Sequence, residues 1–296
     1  MVSTLADQTQ SERLGGLGAR LHLLSAVALG AWLAGATAVA DTPMPSARII
    51  SEQTLYTGDG ITVEEHRWVH GMRRGRLWLV SLPVDAAVRV IPAPEPARLT
   101  DLIPPDAGPM AAINGGFYDT RGRPLGAVIS RGRVHNQGRA GGGSGVLIVS
   151  DTGPGIVPYP RFADQADQVR EALQSIDRII ADGHSVVRVG APGGYGVRSA
   201  VAIAGDRLLF AVAAADWGIR EVAQGIDLRW PALMGLPLWA FAELLVEASG
   251  AEAALNLDGG DSTQLIVRGR GFEFHINSGG RTINGILVSP AAGHAR

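Results

Sequence analysis

The sequence of 296 residues contains no cysteine. Disulfides, thiolate metal sites and a cysteine nucleophile are therefore excluded. The formal net charge is only −2, so there is no excess of positive charge with which to bind nucleic acid or an anionic membrane surface. Beyond residue 40, no stretch is long and apolar enough to span a bilayer.

The first 40 residues predict a signal peptide. Arg13 and Arg20 precede an uncharged stretch, residues 21–40, which ends in the small-x-small pattern of Ala38-Val39-Ala40. The alternative is an uncleaved anchor, because about twenty uncharged residues can just cross a bilayer. We expect cleavage, a periplasmic or secreted protein without stable membrane insertion, and a single domain over residues 41–296.

Strand patterns outnumber helix patterns in the rest of the chain. Short apolar runs bounded by Gly or Pro predict strands at residues 77–80, 110–113, 127–129, 146–149 and 283–289, and a hairpin over 200–214 around Gly205-Asp206. Two helices are expected: an amphipathic one over residues 165–180, and one over 238–249 between Pro237 and Gly250. We predict an α+β fold, a mixed and largely antiparallel sheet flanked by helices.

One polar segment stands between two apolar runs: Asn256-Leu257-Asp258-Gly259-Gly260-Asp261-Ser262-Thr263. A β-hairpin turn is one interpretation, since Asp-Gly is a strong turn signal. The other is a functional site, because polar groups at the end of a buried strand, on a backbone freed by glycine, are where α/β proteins commonly place chemistry.

Three further clusters combine polar and small residues at strand ends: residues 114–119, Arg198-Ser199, and residues 281–285. Successive glycine N–H groups bind anions, and arginine makes bidentate contacts with phosphate or carboxylate oxygens. A site holding an anionic group beside a polyhydroxyl ring needs these residue types. Aspartate can act there as acid, base or nucleophile at an anomeric carbon.

Five motifs occur in an order that resembles the phosphodiester glycosidase family, which includes the uncovering enzyme that removes N-acetylglucosamine from a sugar phosphodiester. They are Asn-Gly-Gly-Phe-Tyr-Asp at 114–119, Leu-Gln-Ser at 173–175, Arg-Ser-Ala-Val at 198–201, Glu-Leu-Leu at 243–245 and the segment 256–263. The resemblance runs from about Leu77 to Pro290. It implies hydrolysis of a sugar-1-phosphodiester at the glycosidic carbon, with a carbohydrate or sugar-phosphate substrate.

The resemblance, together with the residue chemistry, gives the candidate site. The catalytic candidates are Asp258, Asp261 and Arg198. The substrate-binding candidates are Asn114, Gly115, Gly116, Ser199, Gly259, Gly260, Ser262, Thr263, Arg281 and Asn284. Ser199 stands where the family commonly has threonine, and Asp261 where it commonly has glycine or serine.

Asp261 adds a carboxylate three residues from Asp258. Two close carboxylates raise the pKa of one of them and form an acid–base pair, or they hold a divalent cation through oxygen ligands. The histidines show no convincing metal-ligand spacing, so no cofactor is assigned beyond the option of a divalent cation.

Two rival functions remain open. One is a non-catalytic protein that binds a glycan or phosphoglycan. The other is an ordinary glycosidase with Asp258 and Asp261 as its carboxylate pair, although their short sequence separation makes the wide spacing of an inverting pair hard to reach.

Overall fold

The computed structural model describes residues 46–191 and 194–290. The signal peptide expected at residues 1–40 lies outside these ranges. Within them, the strands are β1 Arg48–Gly58, β2 Ile61–His70, β3 Arg73–Pro83, β4 Ala87–Ala97, β5 Met110–Asn114, β6 Val128–Ser130, β7 Arg133–Asn136, β8 Gly145–Ser150, β9 Gly153–Pro158, β10 Glu171–Ser175, β11 Arg178–Ala181, β12 His184–Ser185, β13 Arg198–Ala204, β14 Arg207–Ala215, β15 Ile219–Val222, β16 Gly225–Leu228, β17 Ala253–Asn256, β18 Gln264–Gly269, β19 Phe272–Asn277 and β20 Thr282–Ser289. The α-helices are α1 Leu99–Leu102, α2 Tyr159–Ala163 and α3 Leu238–Ser249.

The strands form three sheets. The eight-stranded sheet has the order β1-β2-β3-β14-β13-β17-β11-β12, the seven-stranded sheet β15-β16-β19-β18-β5-β20-β4, and the five-stranded sheet β7-β6-β10-β8-β9. Neighbouring strands are antiparallel except for the parallel pair β16–β19. Among the described residues, no helix is long and apolar enough to cross a bilayer.

Because side chains alternate along each strand, the two faces of the eight-stranded sheet pack into different cores. On β3, Trp78 and Val80 face the main core, which the other two sheets complete with residues such as Ile113, Leu173 and Leu265. Leu77 and Leu79 face the opposite way, into a second core closed by α3. This period of two is what a sheet covered on both faces requires.

The largely antiparallel character of the fold is confirmed, whereas the flanking helices are few: in the described ranges only α3 exceeds five residues. The predicted strands at 77–80, 110–113, 146–149 and 283–289 are present, as is the hairpin β13–β14. Helix α3 has the predicted bounds, with Pro237 before its first turn and Gly250 in the left-handed conformation after its last.

The helix expected over residues 165–180 is wrong. The chain there forms β10 and β11, separated by a bend. Strand β10 is buried on both faces: Leu173 enters the main core and Ala172 a smaller core around Phe162. The polar residues on either side of this pair, Glu171 and Gln174, are buried rather than exposed.

Gln174 fixes the loop that follows β7. Its Oε1 accepts hydrogen bonds from the main-chain N–H groups of Ala127 (2.9 Å) and Arg139 (3.3 Å). Its Nε2 donates to the carbonyls of Arg139 (2.7 Å) and Gly143 (2.9 Å). Because both the oxygen and the nitrogen of this buried amide are hydrogen-bonded, the cost of its desolvation is offset and the loop is ordered.

We expect Gln174→Ala to lower the free energy of unfolding by about 3 kcal/mol, because it leaves several main-chain groups without partners. Urea denaturation followed by circular dichroism measures this. The matched control is Gln137→Ala at an exposed position of the same loop, which should change stability by less than about 0.5 kcal/mol. Equal effects of the two substitutions would contradict the anchoring role.

Candidate active site

The polar segment 256–263 and the three clusters at 114–119, 198–199 and 281–285 meet at the end of β17. The N–H of Asp258 donates to the Gly115 carbonyl (2.9 Å), the N–H of Gly115 to the Asn284 carbonyl (2.8 Å), and the N–H of Leu257 to the Ser199 carbonyl (2.9 Å). These bonds join the ends of β5, β13, β17 and β20.

Residues 256–263 do not form a hairpin. The strand before them, β17, belongs to the eight-stranded sheet, and the strand after them, β18, to the seven-stranded sheet. The polar segment is therefore the crossing of the chain from one sheet to the other, with a single helical turn at Gly260–Ser262.

Three buried side chains hold the main chain around Asp258. The Asp258 carbonyl accepts hydrogen bonds from Asn114 Nδ2 and from Ser199 Oγ, the latter at 2.8 Å. Asn114 Oδ1 accepts from the N–H of Gln264 (3.0 Å), and Asn284 Oδ1 accepts from the N–H of Gly116 (2.8 Å). Asn114, Ser199 and Asn284 are almost fully buried. They act here as scaffold, and their contact with a substrate stays a prediction.

Glycine is required where these segments approach most closely. A Cβ on Gly115 would lie 2.0 Å from Asn284 Oδ1, and one on Gly259 would lie 2.6 Å from the Val197 carbonyl oxygen. Gly260 has a φ of +57°, in the left-handed region. Because these positions are glycines, the crossing segment and the residues that follow β5 can lie directly against β13 and β20.

The Asp258 carboxyl has a pKa raised to about 6, mainly by burial and further by the nearby charge of Asp261, while a hydrogen bond with Ser262 acts in the opposite direction. Asp261 itself is exposed. One carboxyl of the pair is thus half-buried and the other is exposed, and an acid–base role for the pair stays a prediction.

Arg198 is a half-buried cation that forms no ion pair with any described residue. Its Nε donates to the Leu236 carbonyl (2.8 Å) and its Nη2 to the Gly194 carbonyl. Burial lowers the pKa of the guanidinium, and no carboxylate of the described residues lies within 4 Å of it. A Cβ on Gly259 would be 3.8 Å from Arg198 Cα, so Arg198 adjoins the Asp258 segment. Such a cation favours an incoming anion.

Two hydroxyls near the crossing are buried without a hydrogen-bond partner. One is Thr263 Oγ1, on a fully buried residue of the predicted site. The other is Ser175 Oγ at the end of β10; Ser175 Cβ would lie 3.9 Å from a Cβ on Gly116. Ser175 is absent from the predicted site, although its Leu-Gln-Ser motif contributed to the resemblance.

Two predicted residues, Arg281 and Asp261, are exposed. The Nη1 of Arg281 donates to the Pro96 carbonyl (3.0 Å). The carbonyl of Asp261 accepts a hydrogen bond from Ser278 Oγ. In the described ranges, no group of three His, Asp or Glu side chains is arranged to hold a metal ion, so Asp258 and Asp261 have no third ligand of these types with them.

A cavity of about 580 Å³ lies beside the crossing, with Ser144, Asp177, Arg178 and Trp239 in its lining. It is next to the candidate site, because the Asp177 carbonyl accepts a hydrogen bond from the N–H of Asn256 (2.8 Å). Burial raises the pKa of the Asp177 carboxyl. None of the predicted site residues lines this cavity. Asp177 lies in the short link between β10 and β11, where a helix had been expected.

Comparison with known families identifies the class. The family model for phosphodiester glycosidases matches residues 107–289, more than half of the chain. The chain therefore belongs to the phosphodiester glycosidase family, as the resemblance of its motifs predicted. No curated protein sequence matches the chain significantly.

Two solved structures share the fold. A hypothetical protein from Synechocystis aligns with a TM-score of 0.57 and 16% identity, over 81% of this chain and 64% of the other. The catalytic domain of zebrafish N-acetylglucosamine-1-phosphodiester alpha-N-acetylglucosaminidase, auto-inhibited by its pro-peptide, aligns with a TM-score of 0.53 and 18% identity, over 85% of each chain. At these identities the likeness concerns the fold.

The raised pKa of Asp258 has a consequence for stability. The carboxyl titrates near 3.8 when unfolded and near 6 when folded, so the folded state binds its proton more tightly and stability falls as the pH rises from about 4 to about 6. Asn removes the buried charge. We expect Asp258→Asn to be more stable than the parent by up to about 3 kcal/mol at pH 7.5, and about equal to it at pH 4.

Urea denaturation at both pH values measures this difference. Asp261→Asn, at an exposed position, is the control and should change stability by less than about 1 kcal/mol at either pH. A difference between Asp258→Asn and the parent that is the same at pH 4 and pH 7.5 would contradict the buried carboxylate.

Proposed function

We propose that this protein is an exported hydrolase that cleaves the glycosidic bond of a sugar-1-phosphodiester in glycans or cell-envelope polysaccharide. Family membership supports the reaction class. One observation supports the chemistry: at the same crossing lie a half-buried carboxyl, Asp258, with a pKa of about 6, and a half-buried guanidinium, Arg198, that has no carboxylate partner among the described residues. Export is supported by the signal-peptide pattern of residues 1–40 and the absence of cysteine.

Arg198 binds the phosphodiester in this proposal. Two of its N–H groups are held by the Leu236 and Gly194 carbonyls, which fixes the orientation of the planar fork. Its other N–H groups have no partner among the described residues. They match the two non-bridging oxygens of a phosphodiester, and the cation stabilises the charge that grows on the phosphate as the glycosidic C–O bond breaks.

Asp258 acts at the anomeric carbon. A phosphate monoester is a stable anion, so its departure requires little protonation. The ionised carboxylate is therefore the working form, either as the base that takes a proton from the attacking water or as the nucleophile. A pKa of about 6 keeps this carboxylate basic and still largely ionised near neutral pH.

A sugar-1-(nitrophenyl phosphate) tests both the reaction and the side of the phosphorus on which the diester is cleaved. Glycosidic cleavage gives free sugar and nitrophenyl phosphate, which turns yellow only after added phosphatase. Cleavage on the other side of phosphorus gives nitrophenol at once. We expect colour only with phosphatase, and a kcat/KM that rises with pH through an apparent pKa near 6, because the ionised form of Asp258 is required.

Asp258→Asn should reduce kcat/KM by about a thousandfold or more without loss of folded structure, because it removes the base or nucleophile. The matched control is Asp206→Asn in the exposed β13–β14 turn, which should retain parental activity. Unchanged activity in Asp258→Asn would refute the catalytic assignment.

Arg198→Gln should reduce kcat/KM for the phosphodiester by about a hundredfold, because the phosphate loses its charged partner. Arg198→Lys should recover part of this, since it restores charge without the bidentate fork. The exposed Arg281→Gln serves for comparison: a loss as large as that of Arg198→Gln would move the phosphate contact to Arg281.

The same assays separate the rival functions. Tight binding of sugar phosphodiesters without turnover would indicate a binding protein. Turnover of plain nitrophenyl glycosides, but not of phosphodiesters, would indicate an ordinary glycosidase. Loss of turnover on chelation, with recovery on addition of one divalent ion, would reveal a cation at Asp258 and Asp261.

A further inference from the structure

Three large apolar side chains are exposed beside the candidate site. Trp217 is 66% exposed, Trp230 64% and Leu233 64%. The other three tryptophans in the described ranges, Trp68, Trp78 and Trp239, are fully or almost fully buried. Single exposed apolar residues are common, but a group of three with two indole rings marks a binding surface.

The backbone places these side chains together. The N–H of Arg229 donates to the Gly218 carbonyl (2.7 Å), at the open end of the hairpin β15–β16. Trp217 directly precedes Gly218 and Trp230 directly follows Arg229, so both lie just outside this pair. Leu233 is tied to Trp230 by a hydrogen bond from its N–H to the Trp230 carbonyl (2.9 Å). We call Trp217, Trp230 and Leu233 the tryptophan platform.

The platform is continuous with the crossing that carries Asp258. The N–H of Gly260 donates to the Val197 carbonyl (3.0 Å), and the N–H of Val197 donates to the Pro231 carbonyl (2.8 Å). Ala232 Cα would lie 3.9 Å from a Cβ on Gly260. Only Pro231 separates Trp230 from Ala232, so their Cα atoms are at most about 7 Å apart.

Trp230 has an unusual backbone conformation, with a positive φ. Four non-glycine residues in the described ranges have positive φ: Asp59, Arg131, Asp182 and Trp230. The first three each precede a glycine with positive φ in a two-residue hairpin turn, where this geometry is ordinary.

Trp230 instead precedes Pro231, and it is bulky, so a φ of +48° there is strained. Strained residues are retained where the surrounding structure over-determines them, and they cluster at functional sites. The strain here presents an indole ring to solvent beside a catalytic candidate.

We infer that the tryptophan platform is a glycan-binding subsite on which sugar rings beyond the scissile phosphodiester stack, so that the substrate is a polymer or oligosaccharide rather than a single sugar phosphodiester. The apolar C–H face of a sugar ring packs on an indole face, while its hydroxyls stay in water. This inference rests on the proposed function, since it extends the same substrate away from Asp258.

The test compares a polymer with a small substrate. The polymer probe is a soluble teichoic-acid-type chain with sugar-1-phosphodiester links, and the small one is the sugar-1-(nitrophenyl phosphate). We expect Trp217→Ala and Trp230→Gly each to weaken polymer binding, measured by isothermal titration, about tenfold. Glycine relieves the positive φ at position 230, so loss of the ring is not confounded with added strain.

The conservative and control variants sharpen the result. Trp230→Phe retains a ring and should recover most of the binding. Val134→Ala, at an exposed apolar position on β7, should leave binding and turnover unchanged. The loss of kcat/KM in Trp217→Ala and Trp230→Gly should be at least fivefold greater on the polymer than on the small substrate.

Failure of this inference is distinguishable from failure of the proposed function. Turnover of the small substrate, with polymer binding that the platform variants leave intact, overturns the platform alone. Polymer binding that depends on the platform, with no turnover of any phosphodiester, supports the platform and overturns the hydrolase. Platform-dependent binding to anionic lipid vesicles, and none to polymer, overturns the glycan assignment in favour of a membrane surface.

Discussion

The candidate site depends on how the Asp258 carbonyl is held. Two side chains donate to this one oxygen, Asn114 from the seven-stranded sheet and Ser199 from the eight-stranded sheet. The chain crosses between those sheets at this residue, so these two bonds tie the sheets together where the catalytic candidate is placed. Because both donors are buried, loss of either would remove one of the two hydrogen bonds that hold this carbonyl in the interior.

This construction explains the mixture of residue types at the crossing. Buried amides and hydroxyls fix the backbone, glycines permit the close approach, and the Asp258 carboxyl is left in partly dry surroundings that raise its pKa to about 6. The same burial costs stability at neutral pH, since a charged carboxylate is disfavoured there. A stability cost of this kind is expected at a functional site, where the residues are not those that packing alone would select.

Local signals in the sequence were sufficient for much of the fold. Pro237 and Gly250 delimit α3, and Gly205-Asp206 defines a hairpin, because both depend on backbone chemistry within a few residues. The helix expected over 165–180 failed for a non-local reason. Only packing on both faces of β10 and the loop around it make Gln174 a buried anchor, and no spacing within the segment reveals these contacts.

The site, too, was predicted only in part, because some of its features depend on non-local packing. That residues 114–119, 198–199, 256–263 and 281–285 come together followed from their shared chemistry and family pattern, and the main-chain bonds among them show that they do. What each side chain does there could not be read from the sequence. Asn114 and Asn284 have the composition of sugar ligands, yet their amides are used by main-chain groups.

One segment, residues 229–236, links the two halves of the proposed substrate site. Its Leu236 carbonyl orients Arg198, its Pro231 carbonyl binds Val197, and its Trp230 and Leu233 side chains form most of the platform. Arg198 and the platform are thus positioned by the same backbone. A polymer bound to Trp230 would contact the same segment that orients the Arg198 guanidinium in the proposed site. In the proposed function, binding of a long substrate and placement of its phosphate therefore depend on one segment, and the strained Trp230 lies in it.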